Sequence, residues 1–143
     1  MELVDRFLAA VVSPDPGALA DCYAERVVIE MPFAVPGLMP ARLETTREEL
    51  RTRFRAGTAV RRYTDLSNVR VHECADGSTV IVEYDVNGLM HATGERFVLR
   101  FAMVMTLEDG LIAHTRDYAD PIAGARALGR LPELVAALGG RPS

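Results

Sequence analysis

The sequence predicts an α+β domain, a curved and mostly antiparallel sheet wrapped around three N-terminal helices with an apolar pocket between them. Three observations carry this. Apolar residues recur at helical spacing through the first third of the chain. Asp-Gly pairs separate long apolar runs in the second half. The length of 143 residues, 49% apolar and 25% charged, suits one domain with a real core. Residues 1–143 therefore read as a single domain, with residues 139–143 (Gly-Gly-Arg-Pro-Ser) as a flexible end.

The elements follow in order. Leu3, Val4, Phe7, Leu8, Val11 and Val12 form one apolar stripe, so residues 2–12 predict a first helix. Ser13-Pro14-Asp15-Pro16 stops it, and Asp15 caps a short second helix with Pro16 at its first position. Leu19, Cys22 and Tyr23 supply that helix's buried stripe. VVIEMPF (27–33) reads as a strand and AVPGLMPA (34–41) as a loop. Thr46 with Glu49 makes a capping box ahead of Leu50 and Phe54, which predicts a third helix near 46–57.

A meander of strands comes next. Asp76-Gly77 separates NVRVHEC from STVIVEYDV. Thr93-Gly94, or the nearer Asn87-Gly88, precedes RFVLRFAMVMTL, and Asp109-Gly110 precedes LIAHTRDY. Beyond Pro121, Ile122, Ala125, Leu128, Leu131 and Leu134 predict one or two short helices. Phe97, Leu99, Phe101, Met103 and Met105 alternate with Val98, Arg100, Ala102, Val104 and Thr106. The first set suits the pocket. The second is apolar enough to predict a homodimer through the outer face.

Charge and composition exclude several classes. A net charge of −4 argues against a nucleic-acid partner. No apolar run approaches the ~20 residues of a membrane span, and the N-terminus lacks signal-peptide character, so a cytoplasmic protein is expected. All 16 basic residues are arginine, which excludes a lysine Schiff base or a P-loop lysine. The arginines between Arg47 and Arg62 interleave with Glu48 and Glu49 and read as a solvated helix face and an exposed turn. Cys22 and Cys74 form no C-x-x-C, and His72, His91 and His114 have no metal-ligand spacing. Neither a metal nor an organic cofactor is expected.

Four acids fall on strand segments that should line or rim the pocket: Glu30, Glu83, Asp85 and Asp117. Glu83 and Asp85 share a face, with Val80, Val82, Tyr84 and Val86 competing for burial on the other. Glu30 groups with Val28 and Pro32. Asp117 groups with Leu111, Ala113 and Thr115, all compatible with an interior face. Carboxylates in an apolar pocket have raised pKa values, as a general acid near neutral pH requires. Asp117 is thus the candidate acid/base, with Glu30, Glu83 or Asp85 as partner. Phe33, Phe101 and Met103 are candidate walls, and Tyr84 and Tyr118 further substrate contacts. The expected partner is an apolar small molecule.

The order of elements, MPFAVPG (31–37) and DGLIAHTRDYADP (109–121) followed by ARALG resemble the SnoaL-like, ketosteroid-isomerase-like branch of the NTF2-like superfamily. The resemblance covers nearly the whole chain and is most specific over Asp109–Gly129. It implies an α+β cone, commonly dimeric, in a group that includes steroid isomerases, polyketide cyclases, limonene-type epoxide hydrolases and phenazine-biosynthesis proteins. In the epoxide hydrolases the last strand carries W-R-D-Y-F-D, whose first aspartate activates water. Thr115–Asp120 looks like that run, and Asp117 takes the matching place. The phenazine-type proteins carry a glutamate there. The hydrolases' third-strand R-x-D has Glu83-Tyr84-Asp85 as its nearest match, without the arginine. Met31 stands where steroid isomerases carry their aspartate. The resemblance implies cofactor-free acid/base chemistry: cyclisation, isomerisation, dehydration or condensation. Epoxide opening and a non-catalytic ligand-binding or dimerisation module are the alternatives.

Overall fold

The computed structural model describes residues 2–139, so residues 140–143 of the expected flexible end lie outside it. The chain runs α1 (Glu2–Val11), α2 (Pro16–Ala20), β1 (Tyr23–Glu30), β2 (Arg42–Thr46), α3 (Arg47–Val60), β3 (Arg61–Glu73), β4 (Thr79–Met90), β5 (Arg96–Glu108), β6 (Leu111–Ala119), α4 (Pro121–Ala127) and α5 (Leu131–Leu138). The six strands form one sheet in the order β2-β1-β6-β5-β4-β3. Among the described residues only the β1–β6 pair is parallel. The helices pack on one face of the sheet, with the core between that inner face and α1 to α3.

Local chemistry sets the boundaries. Asp15 accepts a hydrogen bond from the Gly17 amide and starts α2, with Pro16 in its first turn. Thr46 accepts from the Glu49 amide at 3.2 Å and starts α3, while Glu49 itself accepts from Thr45 Oγ1 at 2.6 Å. Asp109 and Gly110 both take positive φ, +51° and +75°, as the tight β5–β6 hairpin requires. Gly94, at φ +71°, serves the turn between β4 and β5, while Asn87 and Gly88 lie inside β4.

Several boundaries differ from the sequence reading. β1 begins at Tyr23, which is therefore a strand residue and not part of the α2 stripe, and it ends at Glu30, leaving Met31-Pro32-Phe33 in the following turn. β2, Arg-Leu-Glu-Thr-Thr, lies at the sheet edge and shows no apolar alternation. β3 starts at Arg61, seven residues before Asn68, because α3 continues to Val60 and passes directly into the strand. The arginines of α3 also do more than face solvent. Arg47 Nε donates to the Tyr23 carbonyl at 2.8 Å, and Arg51 joins Glu48, Asp21 and the Gly17 carbonyl, tying α3 to α2 and β1.

Phe7, Val80, Val82, Val86, Met105 and Ile112 are fully buried at the centre of the core. A smaller cluster of Val35, Ala125 and Leu134 seats α4 and α5 on the loop after β1. Asp120 accepts from the Ile122 and Ala123 amides and caps α4, so it ends β6 and turns the chain into its tail. Among the described residues no helix is long and apolar enough to cross a membrane.

Candidate active site

A cavity of about 650 Å³ opens between the inner sheet face and the helices. Its walls come from every layer: Phe7 from α1, Phe54 from α3, Tyr23 from β1, Tyr84 from β4, and Phe101 and Met103 from β5. Asp117 of β6 is the only carboxylate among its described lining residues.

A bulge aims Asp117 inward. Along β5, Thr106 and Leu107 are consecutive, yet they pair with His114 and Ile112 of β6, so Ala113 is one residue extra. Ile112 is fully buried below the bulge, and so is Thr115 above it. Unbroken alternation from Ile112 would turn His114 and Arg116 into the apolar cavity. With the bulge, Thr115 and Asp117 take those places, opposite Met105 and Met103. Leu111 and Ala113, grouped with Asp117 by sequence parity, therefore do not share its face. Thr115 does.

The cavity perturbs the acid. Burial pushes the Asp117 carboxyl up to about 6 from an ordinary 3.8, against the pull of the Thr115 hydroxyl. Thr115 Oγ1 donates to Asp117 Oδ1 at 2.5 Å, which also satisfies the otherwise buried hydroxyl. Burial and then the Asp117 charge push the phenols of Tyr23 and Tyr84 upward, so both stay protonated. Tyr84 Oη donates to the Met103 thioether at 3.2 Å. Sulfur is a weak acceptor, so this bond is readily exchanged for one to a ligand oxygen. The Tyr84 ring stacks on Phe101 at 5.4 Å and meets Phe7 edge-on at 6.0 Å, which fixes the phenol.

The SnoaL-like domain family matches residues 4–115, most of the chain. The chain belongs to that family. The Bacillus subtilis (strain 168) protein YesE, itself uncharacterised, is 26% identical over 128 residues, spanning 90% of this chain and 86% of that one. A Bacillus subtilis crystal structure provisionally named an isomerase is also 26% identical, with a TM-score of 0.79 over 90% of this chain and 91% of the other. A Pseudomonas putida structure provisionally named a polyketide cyclase is 21% identical, with a TM-score of 0.73 over 89% and 96%. These likenesses support the NTF2-like fold.

On this SnoaL-like scaffold the predicted site residues divide in two. Asp117, Tyr84, Phe101 and Met103 line the cavity together. Glu30, Glu83 and Asp85 do not join them. Val80, Val82, Tyr84 and Val86 take the inner face of β4, which leaves Glu83 and Asp85 on the outer one. There Glu83 meets His72 Nε2 at 2.8 Å, and Asp85 lies 3.6 Å from Arg100 and accepts from Asn68 at 2.8 Å. Glu30 also points outward, toward Arg42 at 3.8 Å and His114 at 3.3 Å, because Val27 and Ile29 take the inner face of β1. Phe33 and Tyr118 pack edge to face at 5.3 Å beside an outer groove that Glu83 and Asp85 also line. Phe33 is 60% exposed and is no wall of the inner cavity.

The sequence reading missed Tyr23, Phe54, Tyr63 and Arg61 as lining residues. Among the described residues no cluster of three or more His, Cys, Asp and Glu could hold a metal ion.

Proposed function

We propose that this protein is a small-molecule enzyme that moves a proton within an apolar ligand, with Asp117 as general acid/base. The observation that carries the reading is a single carboxyl, raised to about 6, in a large apolar cavity. Such a group is ionised in most molecules at neutral pH, yet far more basic than an ordinary aspartate. It can take a proton from a carbon beside a carbonyl and return it elsewhere on the ligand. Negative charge then grows on the carbonyl oxygen. Tyr23 and Tyr84, both held protonated, are the donors available to it. Isomerisation, cyclisation, dehydration and condensation all reduce to these two roles. The similarity to a protein provisionally named an isomerase supports the same reading.

With one acid among the cavity's described lining residues, the partner role expected of Glu30, Glu83 or Asp85 passes to the tyrosines. This arrangement favours proton transfer along one ligand over hydrolysis by a pair of carboxylates.

The test needs no natural substrate. Apolar cyclic ketones such as 2-tetralone are incubated with the protein in D2O, and deuterium entering beside the carbonyl is followed by NMR. Wild-type protein should accelerate exchange. Asp117→Asn should lower that acceleration by roughly 10²–10⁴-fold, the range for losing a general acid or base. A variant within about threefold of wild type would remove Asp117 from the reaction.

A further inference from the structure

The cavity has a second chemical feature, at the β3 side of its mouth. Arg61 and Arg62 open β3, directly after α3, and both line the cavity. β3 and β6 are three strand spacings apart in the sheet, and Arg62 pairs with Leu89, seven residues along β4 from Val82, which is level with Asp117 through Met103. The arginines therefore sit at the opposite end of the cavity from Asp117, displaced along the strands as well as across them.

Arg61 is half-buried and held in place. Its Nε donates to Tyr63 Oη at 3.0 Å, and its Cζ lies 5.3 Å from the centre of the Tyr63 ring. The guanidinium also rests on Gly57 of α3, where a Cβ would stand 3.3 Å from a terminal nitrogen. Phenol, ring and bare helix backbone thus set the guanidinium plane. Its terminal nitrogens meet no carboxylate among the described residues. Arg42, Arg51 and Arg100, in contrast, are all ion-paired. His91 adds to the same rim. Its Nε2 lies 2.9 Å from the Thr58 carbonyl, which can only accept, so Nε2 carries the proton and Nδ1 is left for another partner. Among its described lining residues the cavity thus holds two cations, Arg61 and Arg62, and one acid, in a chain whose net charge is −4.

We infer that this rim recognises an oxyanion, in the simplest case a carboxylate, on a ligand whose apolar body fills the cavity and whose reacting carbon lies at Asp117. A preset guanidinium with free terminal N–H groups matches a planar carboxylate, and its partial burial strengthens the contact. The substrate class is thus an amphiphilic organic acid. This deepens the acid/base reading and rests on it for the position of the reacting carbon.

Calorimetric titration of the full chain with 2-naphthaleneacetate and with its neutral isostere 2-naphthaleneacetamide, at pH 8 and low salt, tests the inference. The carboxylate should bind about tenfold tighter or more, as one charge-assisted contact provides. A third arm, 2-naphthyl phosphate, distinguishes a carboxylate site from a general oxyanion site. Arg61→Gln should bring acetate and amide within about twofold of each other while leaving the amide's affinity in place, and Arg61→Lys should keep part of the preference. Asp117→Asn should retain the preference in full, so a failure of the acid/base reading would appear in exchange and not in binding. Equal affinities for wild type, failure of both ligands to bind at millimolar concentration, or a preference that survives Arg61→Gln would each overturn the inference. The wild-type comparison decides alone should Arg61→Gln not fold.

Discussion

Replacing Asp117 with asparagine should stabilise the protein at pH 8 and leave it nearly unchanged at pH 4. The folded state holds the Asp117 proton more tightly than the unfolded chain does, with a pKa of about 6 against 3.8. Between those values the folded state binds more protons, so this group's contribution to stability is largest below about pH 4. It falls as pH rises through the window and is constant above about pH 6. The rise from 3.8 to about 6, at ~1.36 kcal/mol per pH step of one, amounts to up to about 3 kcal/mol against the folded state at pH 8. Asparagine keeps the shape and can still accept from Thr115, but it carries no charge to bury. In a chain of this size the difference corresponds to a melting temperature higher by roughly 5–10 °C. Thermal melts of both proteins at pH 4, 5, 6, 7 and 8 measure it. Their difference cancels the other titrating groups, which both share. A gap that opens between pH 4 and 6 is expected. A gap independent of pH, or a variant that melts lower at pH 8, would refute the reasoning, and the latter would make the ionised carboxylate a structural ion.

Other substitutions separate the cavity from the outer face. Thr115→Val removes the bond that pulls the Asp117 carboxyl down, so the pH midpoint of deuterium exchange should move above about 6, and an unchanged midpoint would contradict that role. Glu30→Gln, Glu83→Gln and Asp85→Asn alter groups outside the cavity and should each leave exchange within about threefold of wild type. Gly88→Ala should cost about 1–3 kcal/mol in chemical denaturation, the range for overpacking, because a Cβ there would strike the Phe97 ring and lie 2.8 Å from the Arg62 carbonyl oxygen.

Legibility in the sequence followed how much local chemistry each element carries. Asp15-Pro16, Thr46 with Glu49, and Asp109-Gly110 act through their own backbone neighbours, so these caps and the hairpin could be read directly. β5 could be read because its inner residues are larger and more apolar than its outer ones. β2 and the first half of β3 lie at the sheet edges with mostly polar side chains, so no alternation announced them. β4 alternates apolar residues with acids, and parity placed Glu83 and Asp85 together without saying which face met the helices. Burial of four large side chains against two acids decides it, and that balance depends on what covers the sheet. Asp117 was legible from the resemblance, and parity grouped it with Leu111, Ala113 and Thr115, of which only Thr115 shares its face because of the bulge at Ala113, which was not legible. A bulge is a property of two strands in register, and one strand does not show it. Arg61 was hidden for a similar reason, since its setting needs Gly57 and Tyr63 brought together by the α3–β3 junction.

The central claim is that one buried carboxyl in the cavity is poised to exchange a proton near neutral pH. The most direct measurement is a carbon-13 NMR titration of protein labelled at the aspartate side-chain carboxyls, with the Asp117 resonance assigned by its loss in Asp117→Asn. A midpoint near pH 6 is predicted. A midpoint near 4, the ordinary aspartate value, would mean that the cavity does not raise the acid, and the proposed chemistry would lose its proton carrier.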